Sequence, residues 1–130
     1  MLKKLTVETK EDVEFVEITD DVKEVVDESG VEEGILQVFV PHDSAAVTMM
    51  GTKNTDIAKD VRFEINKLDD DFGHIESDTS AAHFKSSVFG VDISFIIDGG
   101  ELLLGPTQGI YLTDFKGPAE RTVLLKILEG

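Results

Sequence analysis

The sequence of 130 residues contains no cysteine. Disulfide bonds, thiolate zinc sites and cysteine nucleophiles are therefore excluded together. Any metal ion would have to be held by histidine and carboxylate side chains.

Basic residues are also scarce, with 12 Lys and Arg against 27 Asp and Glu, which gives a formal net charge of -15. The few basic residues are scattered along the chain. Binding to nucleic acid or to an anionic membrane needs clustered cations, so we expect neither partner. An acidic excess of this size is typical of a protein that its charge keeps soluble.

Long hydrophobic runs are missing as well. The amino terminus lacks the apolar segment of a signal peptide, and no window approaches the roughly 20 apolar residues that cross a bilayer. We therefore expect a cytoplasmic protein. Hydrophobic residues still make up 41% of the chain, which together with its length predicts one folded domain over residues 1–130.

The hydrophobic pattern predicts strands at both ends of the chain and helices between them. A nearly continuous apolar run over 34–41 indicates a strand buried on both faces. Because regular βαβ alternation is missing, we expect an α+β fold of layered antiparallel or mixed sheets with short helices. The predicted strands are 2–9 and 13–18 with a turn between them, 34–41, 91–97, 102–104, 110–115 and 122–128. The predicted helices are one from Thr19 to a stop at Gly30, the longest over 55–68, and a short one over 80–88, with a loop through 49–51.

The three histidines are the candidates for a working site. His42 follows the apolar strand and precedes small residues, and His74 and His83 are nine residues apart with Asp78 between them. Neutral imidazoles with a carboxylate nearby suit zinc or a similar divalent ion. The residues therefore predict a metal site at His42, His74 and His83.

Other interpretations stay open on spacing alone. Three histidines are ordinary in a chain of this length, and no pair has the spacing of a helical His-x-x-x-His motif, so all three fit loop residues without a special role. Ser44 near His42, and Ser86 and Ser87 near His83, leave a serine nucleophile open although no GxSxG elbow exists. The run over 69–71 lacks the order of an EF-hand and fits a solvated turn better.

Four motifs in one order resemble the YjbQ-like family, which is also labelled secondary thiamine-phosphate synthase. The resemblance covers nearly the whole chain. The motifs are Phe39-Val40-Pro41-His42-Asp43-Ser44-Ala45, His74-x-Glu76-x-Asp78 with His83 five positions on, Leu102-Leu103-Leu104-Gly105-x-x-Gln108-x-Ile110, and Phe115-x-Gly117-Pro118-x-x-Arg121.

The resemblance implies an α+β homotrimer with the histidines in a pocket. His42, His74 and His83 match the family's histidines, and Asp78 matches its aspartate. Gln108 matches the family's glutamine, and Arg121 matches the second arginine of its Gly-Pro motif. The resemblance implies catalytic roles for Asp78, Gln108 and Arg121. The implied cofactor is a divalent metal such as zinc, and the implied ligand is a phosphorylated small molecule.

The chain also departs from the family pattern. Met50 and Gly51 stand where the family usually has Asn-Glu, Thr79 replaces an asparagine, Thr107 replaces the tryptophan and Ala119 replaces the first arginine. A diphosphate substrate favours cationic partners, so these losses weaken the thiamine-phosphate synthase expectation. A metal ion could supply the missing charge.

We therefore expect a metal-dependent enzyme of small-molecule metabolism, with thiamine-phosphate synthase as the transferase activity that the family label implies. In it the histidines bind or polarise the reacting centre, and Asp78 orients a histidine or acts as base. The alternative is a trimeric protein that binds a metabolite or a metal without catalysis.

Overall fold

The structure is a computed structural model that describes residues 2–52, 56–67 and 78–130, and for residues 78–80 it describes the backbone alone. The strands of these parts are β1 (Leu2–Glu8), β2 (Glu14–Glu17), β3 (Glu33–Phe39), β4 (Ala45–Gly51), β5 (Asp92–Asp98), β6 (Glu101–Leu102), β7 (Gln108–Asp114) and β8 (Glu120–Glu129). The helices are α1 (Thr19–Ser29), α2 (Asp56–Asn66) and α3 (Asp78–Phe89). Every strand pair is antiparallel, so the predicted α+β class is confirmed.

The strands form two sheets. One has five strands in the order β1-β8-β3-β5-β6, and the other has three in the order β2-β7-β4. Side chains that alternate along each strand fill the space between the sheets. The main core lies there, with α1 packed against it; its fully buried members include Val22, Leu36, Val47, Leu112 and Leu125.

A second, smaller core lies on the other side of the three-stranded sheet. Ala46 and Phe115 from this side pack with Ile65 of α2 and Ala82 of α3. Ala46 alternates along β4 with Ala45 and Val47, which belong to the main core. The three-stranded sheet is therefore buried on both faces, with the helices α2 and α3 over its outer face.

Two expectations about strand environment were wrong. β1 and β2 do not form a hairpin, because β1 pairs with β8 and β2 pairs with β7 in the other sheet. β3 is buried on one face rather than two: Ile35 and Phe39 remain 49% and 41% exposed. Ile35 and Phe39 lie on the outer face of the five-stranded sheet. In the described chain only the inner face of this sheet is covered.

One expectation about element type also needs correction. Residues 49–51 belong to β4 rather than to a loop, because Met49 and Met50 pair with Ile110 and Gly109 of β7. The described part of α2 has 11 residues and that of α3 has 12, and both helices border undescribed residues, so the prediction that 55–68 is the longest helix stays a prediction. Thr55 and Leu68, the predicted ends of α2, and the acidic turn at 69–71 lie outside the described residues.

The helices of the described chain are short. None of them is long and apolar enough to cross a membrane.

Candidate functional site

Four strand ends meet on one side of the two sheets. The start of β4 lies opposite the end of β7, since Ala45 pairs with Asp114, and the end of β3 pairs with β8 at Leu124. The link between β3 and β4 carries His42, and it comes close to the start of β8. The Thr122 backbone N–H donates to His42 Nε2 at 2.9 Å.

A buried ion pair lies beneath this point. Arg121 donates to both oxygens of Asp114, from Nη2 to Oδ1 at 2.7 Å and from Nε to Oδ2 at 3.1 Å. The same Nη2 lies 2.9 Å from Ser44 Oγ and 3.1 Å from the Lys116 carbonyl oxygen. Asp114 also accepts the Thr9 hydroxyl at 2.6 Å and the Lys116 N–H at 2.9 Å. The guanidinium is therefore turned toward the protein interior and held on several sides.

The hydrogen bonds decide the charge of Asp114. Burial by itself would raise the pKa of this carboxyl, because it disfavours the charged form. Hydrogen bonds from Arg121, Thr9 and the Lys116 N–H outweigh burial and hold the pKa below its ordinary value. Asp114 is consequently a carboxylate at neutral pH.

Close packing explains why position 117 of the Gly-Pro motif is a glycine. A Cβ at this position would collide with the Glu11 carbonyl oxygen and lie 2.8 Å from Thr9 Oγ1 and 3.1 Å from Asp114 Oδ2. A side chain would therefore push Thr9 away from Asp114. The motif glycine allows the turn after β7 to close over the buried pair.

His42 is fixed as a neutral imidazole. Because the Thr122 N–H donates to Nε2, that nitrogen carries no proton, and the neutral ring holds its proton on Nδ1. Burial and the Arg121 charge lower the pKa of His42, with Asp114 and Asp43 opposing them in part. Half-buried beside a shallow cleft lined by Phe39, Pro41 and Val91, this ring offers an N–H donor.

His83 approaches from α3. Its Nε2 lies 3.3 Å from Asp43 Oδ1, and both side chains are accessible, at 45% and 83% exposure. Asp43 directly follows His42 in the chain. The structure thus brings two of the three predicted histidines to one carboxylate.

The remaining predicted site residues are His74, Asp78, Gln108 and Arg121. His74 and the side chain of Asp78 lie outside the described residues. Gln108 begins β7 and accepts the Gly105 N–H at 2.7 Å, whereas Asp114 ends the same strand. Six residues of extended strand separate them by about 20 Å, so Gln108 does not reach His42 within one chain. Its predicted role and that of Arg121 stay predictions.

The fit of a metal ion depends on which lone pairs are available. His42 Nε2 accepts a backbone N–H, and its Nδ1 carries the proton, so His42 presents no free lone pair in this arrangement. Within residues 2–52, 56–67 and 81–130 no three His, Asp or Glu side chains gather as a metal site. The described donors alone do not fit a zinc site, and the three-histidine metal site stays a prediction.

Sequence reasoning passed over Asp114 and Thr9. A carboxylate that ends an otherwise apolar strand, seven residues before an arginine, was the available signal for Asp114. The sequence offered no signal for Thr9, because Thr9 lies 105 residues from Asp114 along the chain.

Comparison with known proteins decides the family. A family model described as "UPF0047 protein YjbQ-like" matches residues 3–130. The chain belongs to the YjbQ-like UPF0047 family. The UPF0047 protein YugU of Bacillus subtilis is 36% identical over 98% of this chain and 99% of its own. A UPF0047 protein of Methanocaldococcus jannaschii is 34% identical over 98% of this chain and 94% of its own.

Solved structures agree with the YjbQ-like assignment. A crystal structure of an uncharacterised YjbQ/UPF0047 protein from Clostridium acetobutylicum superimposes with a TM-score of 0.90 at 38% identity, covering 97% of this chain and 99% of its own. A YjbQ-like protein "of unknown function" from Sulfolobus solfataricus gives a TM-score of 0.90 at 27% identity, over 100% of this chain and 97% of its own. The resemblance inferred from the four motifs is confirmed, and the fold with it.

Proposed function

We propose that this YjbQ-like protein is an enzyme of small-molecule metabolism whose reacting site is the surface formed by His42, Asp43 and His83. The observation that carries the proposal is the 3.3 Å contact between His83 Nε2 and Asp43 Oδ1 beside a neutral, fixed His42. A histidine paired with a carboxylate can take up and release a proton, and a second ring with an N–H donor can polarise a substrate oxygen.

The buried pair supports this proposal as a scaffold. Arg121 and Asp114 fix the start of β8, and Thr122 of that strand orients the His42 ring. Arg121 acts here as a positioning residue, since its guanidinium contacts Asp114 and Ser44 rather than the cleft. For a diphosphate substrate, Arg121 would have to leave those partners.

A thiamine-phosphate synthase activity is the specific reaction within the proposal. It would join hydroxymethylpyrimidine diphosphate to thiazole phosphate and release pyrophosphate. The test is product formation by the wild-type protein and by His83→Gln, with Val88→Gln as control, because Val88 is an exposed residue of the same helix. Product from the wild type and the control, lost in His83→Gln, supports the activity. Absence of product from the wild type would eliminate this reaction.

A divalent metal such as zinc belongs to the same proposal. Bound near the histidines it would act as a Lewis acid on a phosphoryl oxygen. Since His42 presents no free lone pair, the metal would depend on His83 together with His74 and Asp78. Metal analysis of protein purified without chelator tests it: a stoichiometric ion that His83→Gln loses supports the metal, and an equally loaded variant contradicts it.

The second candidate function is a trimeric protein that binds a metabolite or a metal without catalysis. One observation favours it: the Arg121 guanidinium is bound to Asp114 and Ser44, and Gln108 lies at the far end of β7, so neither of these predicted catalytic side chains faces the cleft beside His42. Thermal stabilisation by a ligand without turnover would support this candidate over the enzyme. A cytoplasmic location is part of both, and cell fractionation tests it.

The homotrimer is a proposal that the outer face of the five-stranded sheet supports. Ile35 lies opposite Leu128 on one side and Ile96 on the other, and the Leu103 N–H bonds to the Ile96 carbonyl. These four apolar side chains are 49% to 59% exposed, in one row across three strands and the residue that follows β6. Such a row is typical of a protein interface.

Light scattering after size exclusion tests the assembly. The wild type should have three times the mass of one chain, and Ile35→Lys should lower it. Phe63→Lys is the matched control, because Phe63 is an exposed apolar residue on α2. A monomeric wild type would contradict the proposal.

A further inference from the structure

The apolar row that contains Ile35 has carboxylates on one side and a lysine on the other. Residues two apart along a strand share a face of the sheet. Two residues toward the start of β3, an exposed acidic row crosses three strands and consists of Glu33, Asp98 and Glu101. Two residues in the opposite direction, the exposed Lys126 of β8 lies beside the neutral side chains of Gln37 and Ser94. The charge of this outer face therefore changes sign across its apolar row.

The acidic row is unfavourable within a single chain. Asp98 lies directly opposite Glu33 on one side and Glu101 on the other, and like charges at such positions destabilise a sheet. In the part of the chain that the structure describes, none of these three carboxylates forms an ion pair. A cationic side chain placed over the row would relieve the repulsion.

Lys126 does not supply that charge in its own chain. Neighbouring rows are two residues apart along a strand, so Lys126 is separated from the acidic row by about 14 Å, with the apolar row between them. Lys126 forms no ion pair with any described residue either. The next row beyond it adds Lys4 and Asp92, whose charges cancel. Lys126 is therefore the cation that this face offers to a partner.

A second copy of the chain has the charges that match. Each copy has a net charge of -15, so two copies repel one another over most of their surface. In a head-to-tail contact through the apolar rows, however, Lys126 of one copy can lie over the acidic row of the next. Each copy then uses its lysine toward one neighbour and its carboxylates toward the other. Such heterologous contacts close into a ring, as a homotrimer requires.

We propose that Lys126 of each copy binds the acidic row of the next copy and so sets the register of the homotrimer, with the apolar rows covered between them. The inference rests on the proposed assembly and adds to it the residues that select the partner. Complementary charges across an interface fix its register and disfavour other partners.

Light scattering of the full-length protein at decreasing concentration tests the contact with charge-reversal variants. Lys126→Glu and Asp98→Lys each place like charges opposite one another across the interface, so each should weaken association at least roughly tenfold. The double variant has the same opposite charges in exchanged positions and should recover the mass of the wild type. General destabilisation by the two substitutions would give no such recovery.

Lys59→Glu is the matched control, because it makes the same change of charge on α2, away from the five-stranded sheet. It should keep the mass of the wild type. If Asp98→Lys fails to fold, Glu101→Lys in the same row replaces it in the single and double variants. Wild-type mass in both single variants, or no recovery in the double variant, would overturn this contact and leave the trimer intact. A monomeric wild type would contradict the trimer and the contact together.

Discussion

Arg121 and Asp114 form an ion pair inside the protein, whereas His83 and Asp43 form a histidine–carboxylate contact at its surface. The first pair has an Nη2 to Oδ1 distance of 2.7 Å with side chains 9% and 0% exposed. The second has an Nε2 to Oδ1 distance of 3.3 Å with side chains 45% and 83% exposed. The two pairs are linked through His42, which bonds to the strand of Arg121 and adjoins Asp43 in sequence.

The difference in burial divides the two pairs into one that stabilises the structure and one that is accessible for chemistry. A buried pair with further hydrogen bonds cannot exchange partners without exposing an uncompensated charge, so Arg121 and Asp114 fix the ends of β7 and β8. An exposed pair contributes little to stability, but it can exchange its partner for a substrate. The four predictions below test this division, from the largest expected effect to the smallest.

Removal of the buried cation should have the largest effect. Arg121→Met leaves Asp114 buried without its counter-ion, and loss of one partner of such a pair typically costs about 3 to 5 kcal/mol. We expect a decrease of that size in the free energy of unfolding, measured by urea denaturation at fixed protein concentration. Arg62→Met is the control, because Arg62 pairs with Glu11 at 3.6 Å near the surface, and it should change the value by less than about 0.5 kcal/mol.

The buried pair should also give the protein a specific sensitivity to acid. The pKa of Asp114 is lower in the folded protein than the ordinary value near 4. Its stabilisation is therefore complete above that ordinary value and is lost as the pH falls through the lower, folded-state pKa. The stability difference between wild type and Asp114→Asn should be constant from about pH 5 to 7 and shrink below pH 4. A difference that does not vary with pH would contradict the assigned carboxylate.

The two pairs differ in what the sequence could predict. Strands and helices followed from local alternation and helical spacing, and the order of four motifs predicted the family and hence the fold. The pairing of the strands could not be predicted, because a turn at residues 10–12 does not show whether β1 and β2 share a sheet. The buried pair was hidden for the same reason: Arg121 suggested a catalytic side chain, and its inward orientation depends on Ser44, 77 residues away along the chain, and on Asp114, which Thr9 holds from 105 residues away.

The surface pair was closer to prediction. His42 and His83 were selected as one site from residue type and motif position, and the structure places both beside Asp43. The contact itself needs the packing of α3 on β4 through the small residues Ala46 and Ala82. Sequence spacing gives no measure of that packing.

The link between the two pairs should show an intermediate effect. His42→Phe removes the acceptor of the half-buried Thr122 N–H, and a lost hydrogen bond of this kind costs about 1 kcal/mol. His42→Gln, whose side-chain oxygen can accept the same N–H, should recover most of it. Faster hydrogen exchange of the Thr122 amide in His42→Phe alone would confirm the link, and equal exchange in both variants would break it.

The surface pair should have the smallest effect on stability and the largest on chemistry. His83→Gln and Asp43→Asn each remove one partner of an exposed pair, so the free energy of unfolding should fall by less than about 1 kcal/mol. If the pair serves the proposed reaction, turnover or ligand binding at the histidine surface should be lost in these well-folded variants. A decrease in stability as large as that of Arg121→Met would instead make the surface pair a structural element, and the division between the two pairs would be wrong.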